Sequence, residues 1–274
     1  MKHNRALRVG SRDSTLAVIQ SRLVMDALQA AHPDVRLELV TMKTTGDKIL
    51  DRTLDQVGGK GLFVRELDDA LRAGRVGLTV HSCKDLPLDL AEDLPIAAFL
   101  RREDPRDALV LPQGASEWDA RLPAGSASPR RRVQLRERFP EIEVRPVRGN
   151  VQTRLRKLDE GGYGALILAA AGLKRLGLEH RISRYFAPEE LLPAAGQGIL
   201  AVQCRADMER MIFDCLRDRE AEICALAERA FVLRPDSPRA MEPEALCGLL
   251  RQRGVPAQAC AGAEEGIQAA LAAA

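Results

Sequence analysis

An apolar run that stops at a cluster of polar side chains constrains the fold of this chain more than any other segment. Residues 76–80, Val-Gly-Leu-Thr-Val, have the length and composition of a buried β-strand. Ser82, Lys84 and Asp85 follow, and Pro87 then ends regular structure. Ligands of open α/β sheets bind at the carboxyl ends of strands. The segment therefore predicts a functional strand end, with a solvated loop holding a chance Lys–Asp pair as the alternative.

The first hundred residues alternate predicted strands with predicted helices. Ser14 is a candidate N-cap for an amphipathic helix over 15–31. A second helix is predicted over 62–73 and is closed by Gly74. Strands are predicted at 8–11, 35–40 and 76–80. This β-α-β-α-β order is typical of a parallel sheet.

A loop-rich stretch over 101–129, with several prolines and glycines, precedes a second predicted α/β unit. Its predicted strands are 142–147 and 164–170, a helix is predicted over 151–158, and 171–176 forms the next element. Segments 191–193 and 196–198 mark a crossover, and another apolar strand is predicted at 199–203. A long helix is predicted over 219–233. The pattern weakens beyond Arg234, because three prolines interrupt it.

Composition excludes several classes of function. The chain has 274 residues, of which 46% are hydrophobic and 29% charged, as in ordinary globular proteins. A net charge of +2 and an aromatic content of 3% disfavour nucleic acid as a partner. No run approaches the ~20 apolar residues of a membrane span. The N-terminus has no signal-peptide pattern, so we expect a cytoplasmic protein that does not bind membranes.

The six cysteines show no pattern of a metal site. None of them forms a CxxC pair or a zinc-like cluster with histidine, so no bound metal is expected. In a cytoplasmic chain they are expected to be free thiols. One of them could still act as a nucleophile.

Arginine dominates the basic residues, with 34 of the 41. Genome composition explains such a bias, and so does planar, bidentate binding of carboxylates. Many of the cations stand at element ends rather than on helix flanks: Arg12, Lys60 in a glycine-rich loop, Arg130, Arg131, Arg148, Arg154 and Arg175. This placement favours a cleft for a ligand with many carboxylates or phosphates, and spacing alone leaves both open.

Seven short segments carry the most specific signal. They are Arg-Asp-Ser-Thr-Leu-Ala at 12–17, Val-Gly-Gly-Lys-Gly-Leu-Phe-Val at 57–64, Val-His-Ser-Cys-Lys-Asp-Leu-Pro at 80–87, Arg-Glu-Asp-Pro-Arg-Asp-Ala at 102–108, Arg-Gly-Asn-Val-Gln-Thr-Arg-Leu at 148–155, Ala-Gly-Leu-Lys-Arg-Leu at 171–176 and Leu-Pro-Ala-Ala-Gly-Gln-Gly at 192–198. In content and order, the chain resembles the porphobilinogen deaminase (hydroxymethylbilane synthase) family over residues 7–231.

The resemblance implies an α/β fold in which two domains are similar to periplasmic binding proteins. Residues 1–100 with 199–218 would form the first domain, and 101–198 the second, arginine-rich one. Residues 219–274 would form a small α+β domain that carries the cofactor cysteine in the family and is predicted to be degenerate here. The family also implies a monomer.

The implied enzyme is a transferase of tetrapyrrole, porphyrin and heme biosynthesis. It joins four units of the small-molecule substrate porphobilinogen head to tail, with loss of ammonia, on a covalently bound dipyrromethane cofactor. Asp85 matches the family's catalytic aspartate. Positions that contact cofactor or substrate in the family match Arg12, Ser14, Lys60, Ser82, Lys84, Arg130, Arg131, Arg148, Arg154, Arg175 and Gln197. Each pyrrole carries two carboxylates, so an arginine-rich cleft suits this substrate.

Two segments depart from the family pattern. Residues 124–132 are shorter than the family's Gly-Ser-x-x-Gly-Thr-Ser-Ser-x-Arg-Arg, which predicts the loss of a strand and a hydroxyl-rich turn, with Ser128 keeping one contact. The Gly-Gly-Cys motif that holds the cofactor is absent, and Arg239 falls near its place. Cys247 and Cys260 are the thiols of that region, so the attachment residue stays unknown.

Two function hypotheses follow. The first is an active porphobilinogen deaminase. The second is a catalytically inactive family member that binds an anionic ligand in the same cleft, because the Gly-Gly-Cys motif is absent. Generic nucleic-acid binding is a weak third hypothesis, since the net charge is small and aromatics are few.

Overall fold

Two mixed five-stranded sheets organise the chain in a computed structural model that describes residues 6–48 and 62–232. The first sheet contains β1 (Leu7–Arg12), β2 (Leu37–Met42), β3 (Leu78–Ser82), β4 (Ile96–Phe99) and β10 (Leu200–Cys204). The second contains β5 (Asp107–Val110), β6 (Ala124–Gly125), β7 (Val144–Arg145), β8 (Ala165–Ala169) and β9 (Arg184–Tyr185).

Helices cover these sheets. They are α1 (Thr15–Ala31), α2 (Thr45–Lys48), α3 (Arg65–Arg72), α4 (Pro129–Arg138), α5 (Val151–Lys157), α6 (Ala170–Arg175) and α7 (Arg219–Val232). Short 3-10 turns occur at Cys83–Asp85, Glu179–Arg181 and Met211–Leu216. Among the helices of the described ranges, none has the length and apolar character needed to cross a membrane.

The two sheets have the same topology. Their strand orders are β2-β1-β3-β10-β4 and β7-β6-β8-β5-β9. In each sheet the first three strands are parallel, and the fourth is antiparallel to both of its neighbours. The chain enters β5 directly after its first passage between the sheets, over 100–106, and enters β10 directly after its second, over 186–199. The strand that follows each passage, β5 or β10, is therefore the antiparallel strand of its sheet.

Both faces of the second sheet are buried, as parallel α/β sheets require. Leu109 and Ile167 point to one face and pack with Leu135 of α4. Neighbours at alternating positions, such as Val110 and Leu168, pack on the other face with residues of α5 and α6. In the first sheet, β1, β3 and β10 pack against α1 through a separate apolar cluster. The two α/β units confirm the predicted fold class.

Most predicted elements are present within the described residues. The helix over 15–31 and its cap are confirmed, because Ser14 Oγ accepts a hydrogen bond from the Ala17 amide at 3.3 Å. The strand predicted at 76–80 lies two residues later, as β3. The predicted parallel arrangement of the first three strands is confirmed by β1, β2 and β3, and β10 joins their sheet in the antiparallel direction. Strands β4, β5 and β9 were not predicted, and the stretch 101–129 is not all loop.

The segment before Arg130 was predicted wrongly. Strand β6 is present, and it pairs in parallel with β7 and β8. The hydroxyl-rich turn is also present: Ser126 Oγ accepts from the Ser128 amide at 3.3 Å, and Ser128 caps α4 through the Arg131 amide at 3.5 Å. A strand of two residues has no periodicity to read, and neighbouring strands hold it in place.

Substitution of Gly198, in the second passage between the sheets, tests how closely the two passages pack against each other. The φ of Gly198 is +91°, and an added Cβ would lie 2.2 Å from the Glu103 carbonyl oxygen. Gly177→Ala is a matched control, since Gly177 has φ +69° and no heavy atom within 4 Å of such a Cβ. We expect Gly177→Ala to cost about 1–3 kcal/mol of unfolding free energy from φ alone, and Gly198→Ala to cost more. Urea denaturation measures both, and an equal loss would contradict a tight passage.

Candidate functional site

A cleft of about 880 Å³ lies where the strand ends of the two sheets meet. Its volume falls in the usual range for ligand pockets. Eleven of the twelve predicted site residues line it: Arg12, Ser14, Ser82, Lys84, Asp85, Arg130, Arg131, Arg148, Arg154, Arg175 and Gln197. The twelfth, Lys60, lies outside the described residues. Residues from both halves of the chain thus converge on one surface.

Asp85 stands at the end of β3, on the 3-10 turn Cys83–Asp85. The turn is anchored behind the cleft, because Cys83 is fully buried and its amide donates to the Ile199 carbonyl at 2.9 Å. The Asp85 side chain is exposed to the cleft. Within the described residues, no hydrogen bond or ion pair holds its carboxylate. The turn therefore fixes the backbone position of Asp85, while its carboxylate is accessible to a ligand in the cleft.

Lys84 is the middle residue of that turn, and Ser82 directly precedes it. Lys84 Nζ donates to Gln197 Oε1 at 3.2 Å, and Gln20 Nε2 donates to Ser82 Oγ at 3.1 Å. Burial, together with the nearby Arg131 guanidinium, lowers the pKa of Lys84 to about 8. Lys84 is therefore mostly charged at neutral pH, and it loses that charge only slightly above it.

Arg12, at the end of β1, is held from two sides. Its guanidinium pairs with the Asp47 carboxylate, including Nε to Oδ2 at 3.2 Å, and stacks 4.2 Å from the centre of the Phe63 ring. Burial raises the pKa of Asp47, but the Arg12 guanidinium and Thr44 outweigh it, so the net pKa is lowered. Asp47 thus remains an anion that fixes Arg12 at the cleft.

Arg130 and Arg131 open α4 and share one carboxylate. Arg131 Nη2 donates to Asp107 Oδ1, and Arg130 Nη2 donates to Asp107 Oδ2, each at 2.7 Å. Arg131 Nη1 also donates to the Ile167 carbonyl at 3.1 Å, and Arg130 Nη1 donates to the Leu192 carbonyl. Both guanidinium groups are therefore held at two points.

Three further arginines come from the second sheet and its helices. Arg148 precedes α5, and Arg154 Nε donates to the Gly149 carbonyl at 2.8 Å. Burial and the adjacent Arg131 charge lower the pKa of Arg154 to about 10. Arg175 Nη2 donates to the Gly198 carbonyl at 2.6 Å, and burial lowers its pKa as well. Arginine stays charged at neutral pH in spite of such shifts.

The four cysteines of the described residues are unsuited to nucleophilic attack. Cys83 and Cys204 are buried, Cys224 is half-buried and Cys215 is exposed. Burial raises the pKa of every one of these thiols, that of Cys83 to about 11. The thiolate is the reactive form, so each is a weak nucleophile at neutral pH. Cys247 and Cys260 lie outside the described residues. No group of His, Cys, Asp and Glu in the described part is arranged to hold a metal ion.

Sequence reasoning missed the residues that hold the cations and Ser82 in place. Asp47, Phe63 and Gln20 line the cleft, and Asp107 lies directly behind it. Phe63 and Asp107 belong to segments singled out in the sequence, but nothing in their spacing showed a partner. No local signal points to Asp107, because its burial and its place at the start of β5 are known only from the structure.

Comparison with known proteins identifies the family. Residues 7–212 match the family model described as porphobilinogen deaminase, dipyrromethane cofactor binding domain. The chain belongs to the porphobilinogen deaminase family. It is 59% identical over 227 residues to the porphobilinogen deaminase of Ruminiclostridium cellulolyticum, covering 82% of this chain and 77% of that one. It is 55% identical over 226 residues to that of Acetivibrio thermocellus, with the same coverage.

Family membership makes the chain a relative of transferases of porphyrin and heme biosynthesis that bind a dipyrromethane cofactor. Among solved structures, the aliphatic sulphonate binding protein SsuA from Escherichia coli matches with a TM-score of 0.45 and 11% identity, covering 92% of this chain and 75% of that one.

The residues of the cleft fit a dipyrromethane. The Nε atoms of Arg130 and Arg131 are buried and have no hydrogen-bond partner among the described residues. Unsatisfied buried donors are rare in folded proteins, so both guanidinium groups keep hydrogen-bonding capacity beyond their contacts with the described residues. Six arginines around one cleft also match a ligand whose rings carry acidic side chains.

We expect ligand binding to depend on pH through Lys84. Its pKa is about 8, so Lys84 loses its charge as pH rises through 8, and any attraction of that charge for a carboxylate in the cleft is lost with it. We expect KM for porphobilinogen to rise above pH 8. Lys84→Arg should flatten this rise, since arginine stays charged, and Lys84→Gln should show a high KM at every pH. Steady-state kinetics from pH 6.5 to 9.5 would contradict the assignment if Lys84→Arg kept the full rise.

Proposed function

We propose that this chain joins four porphobilinogen units head to tail, with loss of ammonia, to give hydroxymethylbilane. One observation carries the proposal: the Asp85 carboxylate, which no described residue pairs or hydrogen-bonds, faces a cleft walled by six arginines. An unpaired carboxylate among many cations suits a reaction in which acidic rings bind and a positive charge develops at one place.

Arginines bind the substrate's acidic side chains in this proposal. Each ring carries an acetate and a propionate, and a guanidinium binds a carboxylate through two parallel N–H donors. The proposed contacts are Arg12, Ser14, Lys60, Ser82, Lys84, Arg130, Arg131, Arg148, Arg154, Arg175 and Gln197. Because most of these groups are already held by the protein, little side-chain freedom is lost when substrate binds.

Asp85 is the proposed catalytic residue. Loss of ammonia from porphobilinogen leaves a positive charge that spreads to the pyrrole nitrogen. A carboxylate beside that nitrogen stabilises the charge and can accept or return a proton. When bound, the dipyrromethane supplies the pyrrole to which the first unit is added. Since no described residue pairs with the Asp85 carboxylate, that carboxylate can move toward the developing charge.

The remaining assignments extend the proposal to the whole chain. We infer a cytoplasmic monomer with a first domain of 1–100 and 199–218, a second of 101–198 and a third of 219–274. The attachment residue of the cofactor is unassigned, because the raised thiol pKa values disfavour the described cysteines. Cys247 and Cys260 are the remaining candidates.

Replacing Asp85 by asparagine keeps the size of the side chain and removes its charge. We expect kcat to fall roughly 100-fold or more, because both charge stabilisation and proton transfer are lost. KM should change little, since the arginines remain. Asp34→Asn, at an exposed turn remote from the cleft, is the control. Near-normal kcat in Asp85→Asn, with a normal melting temperature, would remove Asp85 from this role.

Intact mass spectrometry of the purified chain separates the two function hypotheses. An active deaminase should carry the mass of one dipyrromethane and gain single pyrrole units after porphobilinogen is added. Peptide mapping would then identify the attachment residue. Asp85→Asn is the matched control, since it should bind substrate without this growth. A bare polypeptide mass before and after addition would instead indicate a family member that binds its ligand without catalysis.

A further inference from the structure

The Asp107 carboxylate lies directly behind the cleft, and its side chain has no exposed surface. Asp107 is the first residue of β5, directly after the first passage between the sheets. A buried aspartate is unfavourable unless it is paired and hydrogen-bonded. The groups that pair with the Asp107 carboxylate therefore indicate its role.

Within the described residues, every hydrogen-bond partner of the Asp107 side chain is a predicted site residue. Oδ1 accepts from Arg131 Nη2 at 2.7 Å and from Gln197 Nε2 at 2.8 Å, and Oδ2 accepts from Arg130 Nη2 at 2.7 Å. Gln197 in turn accepts from Lys84 Nζ at 3.2 Å. We call Asp107, Arg130, Arg131, Gln197 and Lys84 the Asp107 cluster.

The cluster connects separate parts of the fold. Arg130 and Arg131 begin α4, Lys84 follows β3 of the first sheet, and Gln197 lies in the second passage. Gln197 Nε2 also donates to the Pro105 carbonyl at 2.6 Å, so both passages meet at this amide. A single carboxylate therefore sets the relative positions of cations that belong to different sheets.

Charge in the cluster is balanced only in part. One carboxylate faces three cations, so positive charge remains for a ligand. The carbonyls of Ile167 and Leu192 accept further hydrogen bonds from Nη1 of Arg131 and of Arg130, respectively. The Nε atoms of both arginines have no partner in the described part of the chain. Asp107 thus orients the guanidinium groups without neutralising the cleft.

We propose that Asp107 is a positioning residue that fixes Arg130, Arg131 and, through Gln197, Lys84 in the orientation that receives substrate carboxylates. The proposal rests on the proposed function of the cleft. The acidic groups of the substrate do not react, so the positioned arginines should bind them equally well in the ground state and in the transition state. Losing their orientation should therefore raise KM and leave kcat nearly unchanged.

Asp107→Asn tests this expectation against Asp104→Asn. The control also breaks an Asp–Arg ion pair, that of Asp104 with Arg106, three residues away and without a cation of the cleft. We expect Asp107→Asn to raise KM for porphobilinogen about tenfold with kcat within about threefold, and Asp104→Asn to change neither. Unchanged KM in Asp107→Asn, or a loss confined to kcat, would overturn the proposal.

The pH profile supplies a readout that mere destabilisation would not move. Lys84 is faced by Arg130 and Arg131, which disfavour its charge, and by Asp85 and Asp107, which favour it. Removing the Asp107 charge lowers the pKa of Lys84 further. The rise of KM on the alkaline side should therefore begin at lower pH in Asp107→Asn than in the wild type, and an unshifted rise would count against the cluster.

Arginine footprinting with phenylglyoxal tests the geometry without turnover. In Asp107→Asn, Arg130 and Arg131 should react faster, whereas Arg229, buried on α7, should react at the wild-type rate. An equal increase at Arg229 would indicate general loosening and overturn the proposal. If the wild type shows no turnover, the proposed function fails, but the proposal about Asp107 is still decided: it requires porphobilinogen to protect Arg130 and Arg131 in the wild type and not in the variant.

A second variant covers the case in which Asp107→Asn does not fold. Asp107→Glu keeps the charge and moves the carboxylate by one methylene. We expect it to fold, to show faster footprinting of Arg130 and Arg131, and to raise KM. A folded Asp107→Glu protein with wild-type KM and footprint would overturn the proposal.

Discussion

Repulsion between like charges is the constraint on which the rest of this structure depends. Six arginines and Lys84 converge on one cleft, and in a partly buried site their repulsion is much stronger than in water. The fold places carboxylates against these cations: Asp47, which lines the cleft, pairs with Arg12, and Asp107, which lies behind the cleft, pairs with Arg130 and Arg131. The carbonyls of Gly149 and Gly198 serve Arg154 and Arg175 in the same way. Pairing with these acceptors lowers the repulsion between the cations, and the cleft keeps a net positive charge.

The two passages between the sheets make this compensation possible, because they bring distant segments to one place. Helix α7 secures them from the far side. Glu228 Oε2 accepts from the Gly196 amide at 2.7 Å and from Arg102 Nη2 at 3.1 Å, so both passages are tied to the same carboxylate. Arg229 Nη2 donates to the Leu88 carbonyl at 3.1 Å, just beyond the turn that carries Asp85. The start of the C-terminal region is thereby coupled to the position of Asp85.

Local signals in the sequence predicted the parts of the fold that are locally determined. The cap at Ser14 and the apolar run of β3 are such signals, and both the helix and the strand are present. Strands β5 and β10 take their direction from the passages before them, which no local pattern reveals. In the site, cations at element ends could be read from the sequence. Asp107 could not, because its role depends on Arg130, Arg131 and Gln197 meeting it from 23 to 90 residues away.

The cleft treats its cations and its carboxylate in opposite ways. Arg130 and Arg131 are each fixed at two points, whereas Asp85 lies on an anchored turn with its carboxylate unheld by any described residue. Fixed donors lower the cost of binding acidic groups that keep their charge throughout a reaction. A carboxylate that must meet a charge appearing and disappearing gains nothing from a permanent cationic partner, which would stabilise it before the charge develops. Under the proposed function, the same fold separates substrate binding from chemistry, because it pairs Arg130 and Arg131 and leaves the Asp85 carboxylate unpaired among the described residues.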